Sequence, residues 1–191
     1  MTIVVNLYAG PGAGKSTTAL RLTYDLKLAG LTTEYVHEFV KDAAWWGHSD
    51  VFDQPDYCFA QQHRLLRSVV GKCEVAVCDS PINLPVVYAS QRPYDKYCPF
   101  DEYSALVNKV YKSYNNVNLF IDRGSLPYSH LGRNEDVDQA KVIDELITTH
   151  LISQNIKYIK FDPSNKFQYD TILRYLLKQK KAHENSINST N

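Results

Sequence analysis

A chain of 191 residues suits one domain with at most a small lid, and it is long enough to bury a real core. Its 44% hydrophobic and 22% charged residues read as an ordinary globular protein, and 21 basic against 21 acidic residues exclude a global positive field that would advertise nucleic acid or a membrane surface. No apolar run of about 18 residues occurs, and the chain enters a strand with no charged leader before it, so the expected setting is cytoplasmic.

In chain order, the first strand spans Ile3 to Tyr8 and runs into the glycine-rich stretch "LYAGPGAGKSTTA". A helix follows from Lys15 to Leu28, then a strand over 33–37, a helix over about 55–70 and a strand over 74–78. The second half gives a helix over about 101–113, a strand over 117–122, a helix over about 135–153 and a strand over 156–161. The Asp162-Pro163 turn precedes a last helix over about 166–180. Short apolar strands alternating with helices imply an α/β fold, a mostly parallel five-stranded sheet in a three-layer arrangement, with the ligand site at the carboxyl ends of the strands.

Three long segments break the rhythm, at 45–56, 90–101 and 122–136, and are candidate clamps or lids. One domain over 1–181 is expected, with its lid at about 122–136 and a polar, disordered tail at 182–191. Cys58, Cys73, Cys78 and Cys98 lack zinc-ribbon or Cys-x-x-Cys spacing and are expected as free thiols.

The glycine-rich stretch is a P-loop NTPase fingerprint, GxxxxGK[ST], except that Ala9 replaces its first glycine. Glycines at 10, 12 and 14 let the backbone approach phosphate with its N–H groups turned inward, and the following helix adds partial positive charge. Gly10, Pro11, Gly12, Ala13, Gly14, Lys15, Ser16 and Thr17 therefore form the expected nucleotide cradle. Lys15 would reach the β- and γ-phosphates of ATP, and Ser16 would bind Mg²⁺.

Two carboxylates follow strands that end beside this loop. Asp79, after "CEVAVC", is placed to hold Mg²⁺ or to accept a proton from the acceptor, or else to cap a helix. Glu38, after the second strand, suits a general base toward an acceptor hydroxyl, with a solvated glutamate as the bland alternative. Trp45 and Trp46 come next, as a base-stacking wall or as core. At 100° per residue, Phe59, Leu66 and Val70 share one face of the 55–70 helix, while Tyr57, Gln61, Arg64 and Ser68 share the opposite one. That second face could read a nucleobase and its phosphate, or simply face water.

The glutamate after the second strand, the helix carrying "FAQQHR" and the Asp-Ser turn after the third strand resemble P-loop nucleoside and nucleotide kinases, especially the deoxynucleoside kinase type. The resemblance implies Glu38 as base, Gln61 or Gln62 as reader of the nucleobase, and a lid "DRGSLPYSHLGR" whose Arg123 and Arg133 grip phosphate. The chain departs from that pattern in having no arginine between Asp79 and Ser80 and no proline after Glu38. The set "LYAGPGAGKSTTA", "CDSP" and "RGSLPYSHLGR" is more closely similar to small phage-encoded P-loop kinases, and also to nicotinamide riboside kinase domains, over about residues 2–151. Members of the phage family phosphorylate the hydroxymethyl group of 5-hydroxymethyluracil in viral DNA, which implies thymidine hypermodification in a host cytoplasm.

A free nucleoside or nucleotide is the alternative acceptor, and an ATPase without acceptor is a further one. An ATPase motor would want Asp-Glu after the third strand where this chain has Asp-Ser, and a GTPase would want Asn-Lys-x-Asp where the fourth strand ends "IDRG". A DNA acceptor needs local positive charge, for which Arg64, Arg67, Lys72 and the "KQKK" run at 178–181 are candidates, although solvated helix faces explain them as well.

Overall fold

Successive side chains of β1 (Ile3–Tyr8), apolar except for Asn6, point to opposite faces, and every residue of the strand is buried. A strand apolar on both sides needs cover on both sides, and the sheet supplies it. In the computed structural model, which describes residues 1–92, 96–124 and 136–188, β1 lies at the centre of an all-parallel sheet of order β2-β3-β1-β4-β5. The other strands are β2 (Thr33–Val36), β3 (Val75–Cys78), β4 (Asn115–Ile121) and β5 (Ile159–Phe161).

Ile3, Val5 and Leu7 face a layer made by α1 (Lys15–Leu28) and α7 (Lys166–Asn188), through Leu22, Leu26, Ile172 and Leu176. Val4 and Tyr8 face the opposite layer, built from α3 (Pro55–Val69), α4 (Leu84–Ala89), α5 (Phe100–Tyr111) and α6 (Val137–Ser153). The short α2 (Phe39–Trp45) and a 3₁₀ turn at Ser49–Asp53 stand between β2 and α3. This is the three-layer P-loop fold that the alternating pattern implies.

Two differences from the sequence reading have local causes. The final helix continues to Asn188, through part of the tail expected to be disordered, because no glycine or proline interrupts it. The segment 45–56, expected as one long loop, contains the end of α2 and the 3₁₀ turn. Most of the expected lid, including Arg133, lies outside the described residues. Beyond it, Asp136 starts α6 with a capping box, its carboxylate accepting from the Asp138 and Gln139 N–H groups while Gln139 accepts from the Asp136 N–H. Among the described residues no helix is long and apolar enough to cross a membrane.

Leu119, fully buried in β4, tests this packing. Leu119→Ala is expected to lower unfolding free energy by about 2–5 kcal/mol in urea titration. Leu106→Ala, on the exposed side of α5, should change it by no more than about 0.5 kcal/mol.

Candidate functional site

The parallel pairing brings the residues that follow β1, β2, β3 and β4 to one edge of the sheet. After β1 the loop turns through Gly12 (φ 78°) and Gly14 (φ 85°), conformations open to glycine, and Gly14 then caps α1. Lys15 is buried, and its ammonium donates to the carbonyls of Ala9 (2.8 Å) and Gly10 (3.1 Å). Ala9 itself is fully buried, so the fingerprint's missing first glycine is met by a small side chain in the core.

A cavity of about 440 Å³ opens here. Pro11, Gly12, Gly14, Lys15, Ser16 and Thr17 form its phosphate-loop end. Glu38 and Ser80 also line it, and the rest of the wall mixes apolar side chains, among them Val40, Trp45, Phe52, Leu84, Pro85 and Tyr88, with Lys41, Gln62 and Arg92. Gly10 and Ala13 of the expected cradle are not in this lining. Ala13 packs into the core, and the Gly10 N–H donates to Asp144 Oδ1 at 2.5 Å.

Glu38 is the residue before α2. Burial pushes its carboxyl above the ordinary glutamate range; the charge of Lys15 opposes that shift, and the nearby charge of Asp79 adds to it. The turn that carries Glu38 is held by a residue of α3. Gln62, only 3% exposed, accepts from the Phe39 N–H at 2.9 Å and donates to the His37 carbonyl at 3.0 Å. Both ends of its amide are thus engaged by the backbone on either side of Glu38.

Asp79 is fully buried at the end of β3, and its Oδ2 accepts from the Tyr35 hydroxyl at 3.0 Å. Its Oδ1 has no hydrogen-bond partner among the described residues. Desolvation, followed by the Asp79 charge, pushes the Tyr35 hydroxyl well above its ordinary range, so it stays a donor. A buried orphaned carboxylate oxygen, with the Ser16 hydroxyl in the cavity wall, fits Mg²⁺, a cation that takes hard oxygen ligands and retains water. No cluster of three or more ligating His, Cys, Asp or Glu side chains occurs among the described residues.

Several expected substrate contacts fall elsewhere. Trp45 lines the cavity, but Tyr57, Gln61 and Arg64 are not in its lining; Tyr57 is exposed and meets Phe39 edge-on, with ring centroids 5.6 Å apart. Helical arithmetic centred on the polar face passed over Gln62, yet its spacing of three after Phe59 and four before Leu66 marks it as core-facing. Arg123 also points away from the expected role. Its guanidinium donates to Asp144 Oδ2 at 3.0 and 2.7 Å, to the Pro11 carbonyl at 2.6 Å and to the Ala140 carbonyl at 3.3 Å. Asp144, absent from the sequence reading, had a signal: it shares the inward stripe of α6 with Ala140, Ile147 and Leu151.

The strand order, the loop and the carboxylates behind it define a P-loop NTPase fold of kinase-like arrangement. Residues 4–167 match the AAA_28 family model, described as an AAA domain, and the chain belongs to that family. No curated protein matches the sequence. Among solved structures, the chain is similar in fold to a deoxyadenosine kinase from M. mycoides with bound dATP, at TM-score 0.58 and 15% identity over 92% of this chain and 99% of that one. It is also similar to the YorR protein from Bacillus subtilis in complex with phosphorylated GDP, at TM-score 0.54 and 14% identity over 96% and 98% of the two chains. A shikimate kinase from Bacteroides thetaiotaomicron follows at TM-score 0.51 and 11% identity, over 95% and 98%.

The raised carboxyl of Glu38 makes a stability prediction. Because folding raises this acid's pKa, the folded state is favoured while the group is protonated and loses stability as pH rises through the shifted range. Glu38→Gln is therefore expected to raise the melting temperature at pH 7. The gain should vanish at about pH 3.5, where the carboxyl is protonated in both states. Equal melting temperatures at both pH values would show that burial of Glu38 costs nothing.

Proposed function

We propose that this protein is an ATP-dependent kinase that transfers the γ-phosphate to a hydroxyl group of a nucleoside-type acceptor. The observation that carries the reading is that one cavity is lined by the phosphate loop, by Glu38 and by a largely apolar wall that includes Trp45, Phe52 and Tyr88. Donor and acceptor would meet in a single chamber of nucleoside scale. An ATPase without acceptor has no use for that apolar wall.

The loop N–H groups and Lys15 would carry the charge of the transferring group, with Lys15 leaving the Ala9 and Gly10 carbonyls for phosphate oxygens. Mg²⁺, held by Ser16 and Asp79, would neutralise phosphate charge and align the donor. Glu38 would take the acceptor proton, and its raised pKa brings it closer to the operating pH of a general base. The apolar wall, with Trp45, Phe52 and Tyr88, would hold a base by stacking and exclude water from the reacting phosphate. A nucleoside-type acceptor also suits the fold likeness to the deoxyadenosine kinase and to YorR.

As the particular acceptor we propose the hydroxymethyl group of 5-hydroxymethyl-2'-deoxyuridine in viral DNA, modified in the host cytoplasm. Its support is the sequence resemblance, together with Arg64 and Arg67 on α3, exposed and outside the cavity lining, which suit the phosphates on either side of an extruded base. The second reading, a kinase of free nucleosides or nucleotides, is favoured by the size of the chamber.

The test uses ATP labelled in its γ-phosphate, Mg²⁺ and separate acceptors. DNA containing 5-hydroxymethyluracil is expected to become labelled, and Lys15→Ala to abolish transfer. Asp79→Ala should slow it by about two or more orders of magnitude. Label only in nucleosides or nucleotides would replace the DNA acceptor with the second reading, and phosphate release without any labelled acceptor would overturn the kinase.

A further inference from the structure

The outer side of the phosphate loop is gripped by a charged pair that no nucleotide chemistry has claimed. Asp144 uses its two carboxylate oxygens for different tasks. Oδ1 accepts from the Gly10 N–H at 2.5 Å, a short, charge-assisted bond, while Oδ2 accepts from two nitrogens of Arg123. Arg123 in turn donates to the carbonyl of the next loop residue, Pro11, at 2.6 Å. The N–H of Gly10 and the C=O of Pro11 are therefore both tied to one side-chain pair, across 134 residues from Gly10 to Asp144.

Packing makes the grip tight. The side chains of Asp144 and Arg123 are 19% and 15% exposed, so the pair works in a partly dry setting where its attraction is poorly screened. A Cβ on Gly10 would sit 2.5 Å from the Ala140 carbonyl and 3.2 Å from both Asp144 Oδ1 and Arg123 Nη2, so only glycine lets the loop approach α6 this closely. The grip is also one-sided. With Gly10 and Pro11 held from behind, Gly12, Gly14 and Lys15 are left to face the cavity.

The geometry points to Asp144 and Arg123 as positioning residues for the nucleotide: a clamp that fixes the first half of the phosphate loop in its phosphate-binding shape. Arg123 acts through Asp144 and the loop rather than by touching the transferring phosphate. A preshaped cradle loses less ordering free energy when it binds, so removing the clamp weakens nucleotide binding without removing any group that touches the nucleotide. The inference rests on the nucleotide-binding part of the proposed function and not on the acceptor.

The experiment measures Mg·ATP binding by calorimetry and the Gly10 amide by nitrogen–proton correlation NMR. For the wild type, ATP binds and the Gly10 amide proton lies far downfield, the signature of a short bond to a carboxylate. Asp144→Ala is expected to move that resonance upfield and to weaken ATP binding by about ten-fold or more. Arg123→Ala should weaken it similarly, and the double variant should be no worse than the weaker single one, because both side chains act through the same loop. Asp144→Asn, which keeps an acceptor for Gly10, should recover part of the loss. Gly10→Ala gives an independent route, since it pushes the loop from α6 while both charges remain, and it should reproduce the weak binding.

Undiminished ATP binding by Asp144→Ala, with loss confined to Arg123→Ala, would overturn the clamp and return Arg123 to direct phosphate contact. Undiminished binding by all variants would overturn it as well. Failure of the wild type to bind Mg·ATP would instead overturn the nucleotide-binding reading on which the clamp rests.

Discussion

Parallel hydrogen bonding of β1 to β3 on one side and β4 on the other is the constraint on which the site depends. It brings the residues after Tyr8, Cys78 and Ile121 to one edge of the sheet, so the phosphate loop, Asp79 and Arg123 meet although they are far apart in sequence. β2 pairs with β3 in the same direction and adds Glu38 to that edge. The register is firm because β1 is buried on both faces, and a slip by one residue would exchange the faces of Ile3, Val5 and Leu7 with those of Val4 and Tyr8. Both layers of helices thus hold the strand that carries the loop.

Within that frame one ammonium and two carboxylates stand close together behind the loop. Lys15 folds onto the neutral carbonyls of its own loop, a charge–dipole pairing that a phosphate can displace with a stronger one between opposite charges. Asp79 is steadied by Tyr35 on one oxygen and leaves the other unpartnered among the described residues. Glu38 keeps a raised pKa between the charges of Lys15 and Asp79, on a turn fixed by Gln62. Position and proton affinity are therefore set by different neighbours, with Gln62 holding the backbone and burial governing the carboxyl.

Much of this was legible in sequence wherever the information is local. Ile3–Tyr8 and Lys15–Leu28 form as read, because an apolar strand, a glycine loop and a helix start are contiguous signals. The brief α2 and α4 leave little trace in the sequence, since six or seven residues carry little periodicity and such helices are stabilised by what they pack on. The site shows the same division. The cradle is written in one motif, but the use of Gly10 is not: its N–H belongs to a carboxylate on α6, and only the inward stripe Ala140, Asp144, Ile147 and Leu151 hints at it. Gln61 and Gln62 differ by one helical step, and that step separates the cavity lining from the outer face of α3.

The most direct test of the account is a structure determined with Mg²⁺ and a non-hydrolysable ATP analogue. The γ-phosphate is expected between the Lys15 ammonium and the Glu38 carboxylate, with Lys15 detached from the Ala9 and Gly10 carbonyls and the apolar wall of the cavity left open to an acceptor. A γ-phosphate directed away from Glu38, with Lys15 still bound to its own loop, would contradict it.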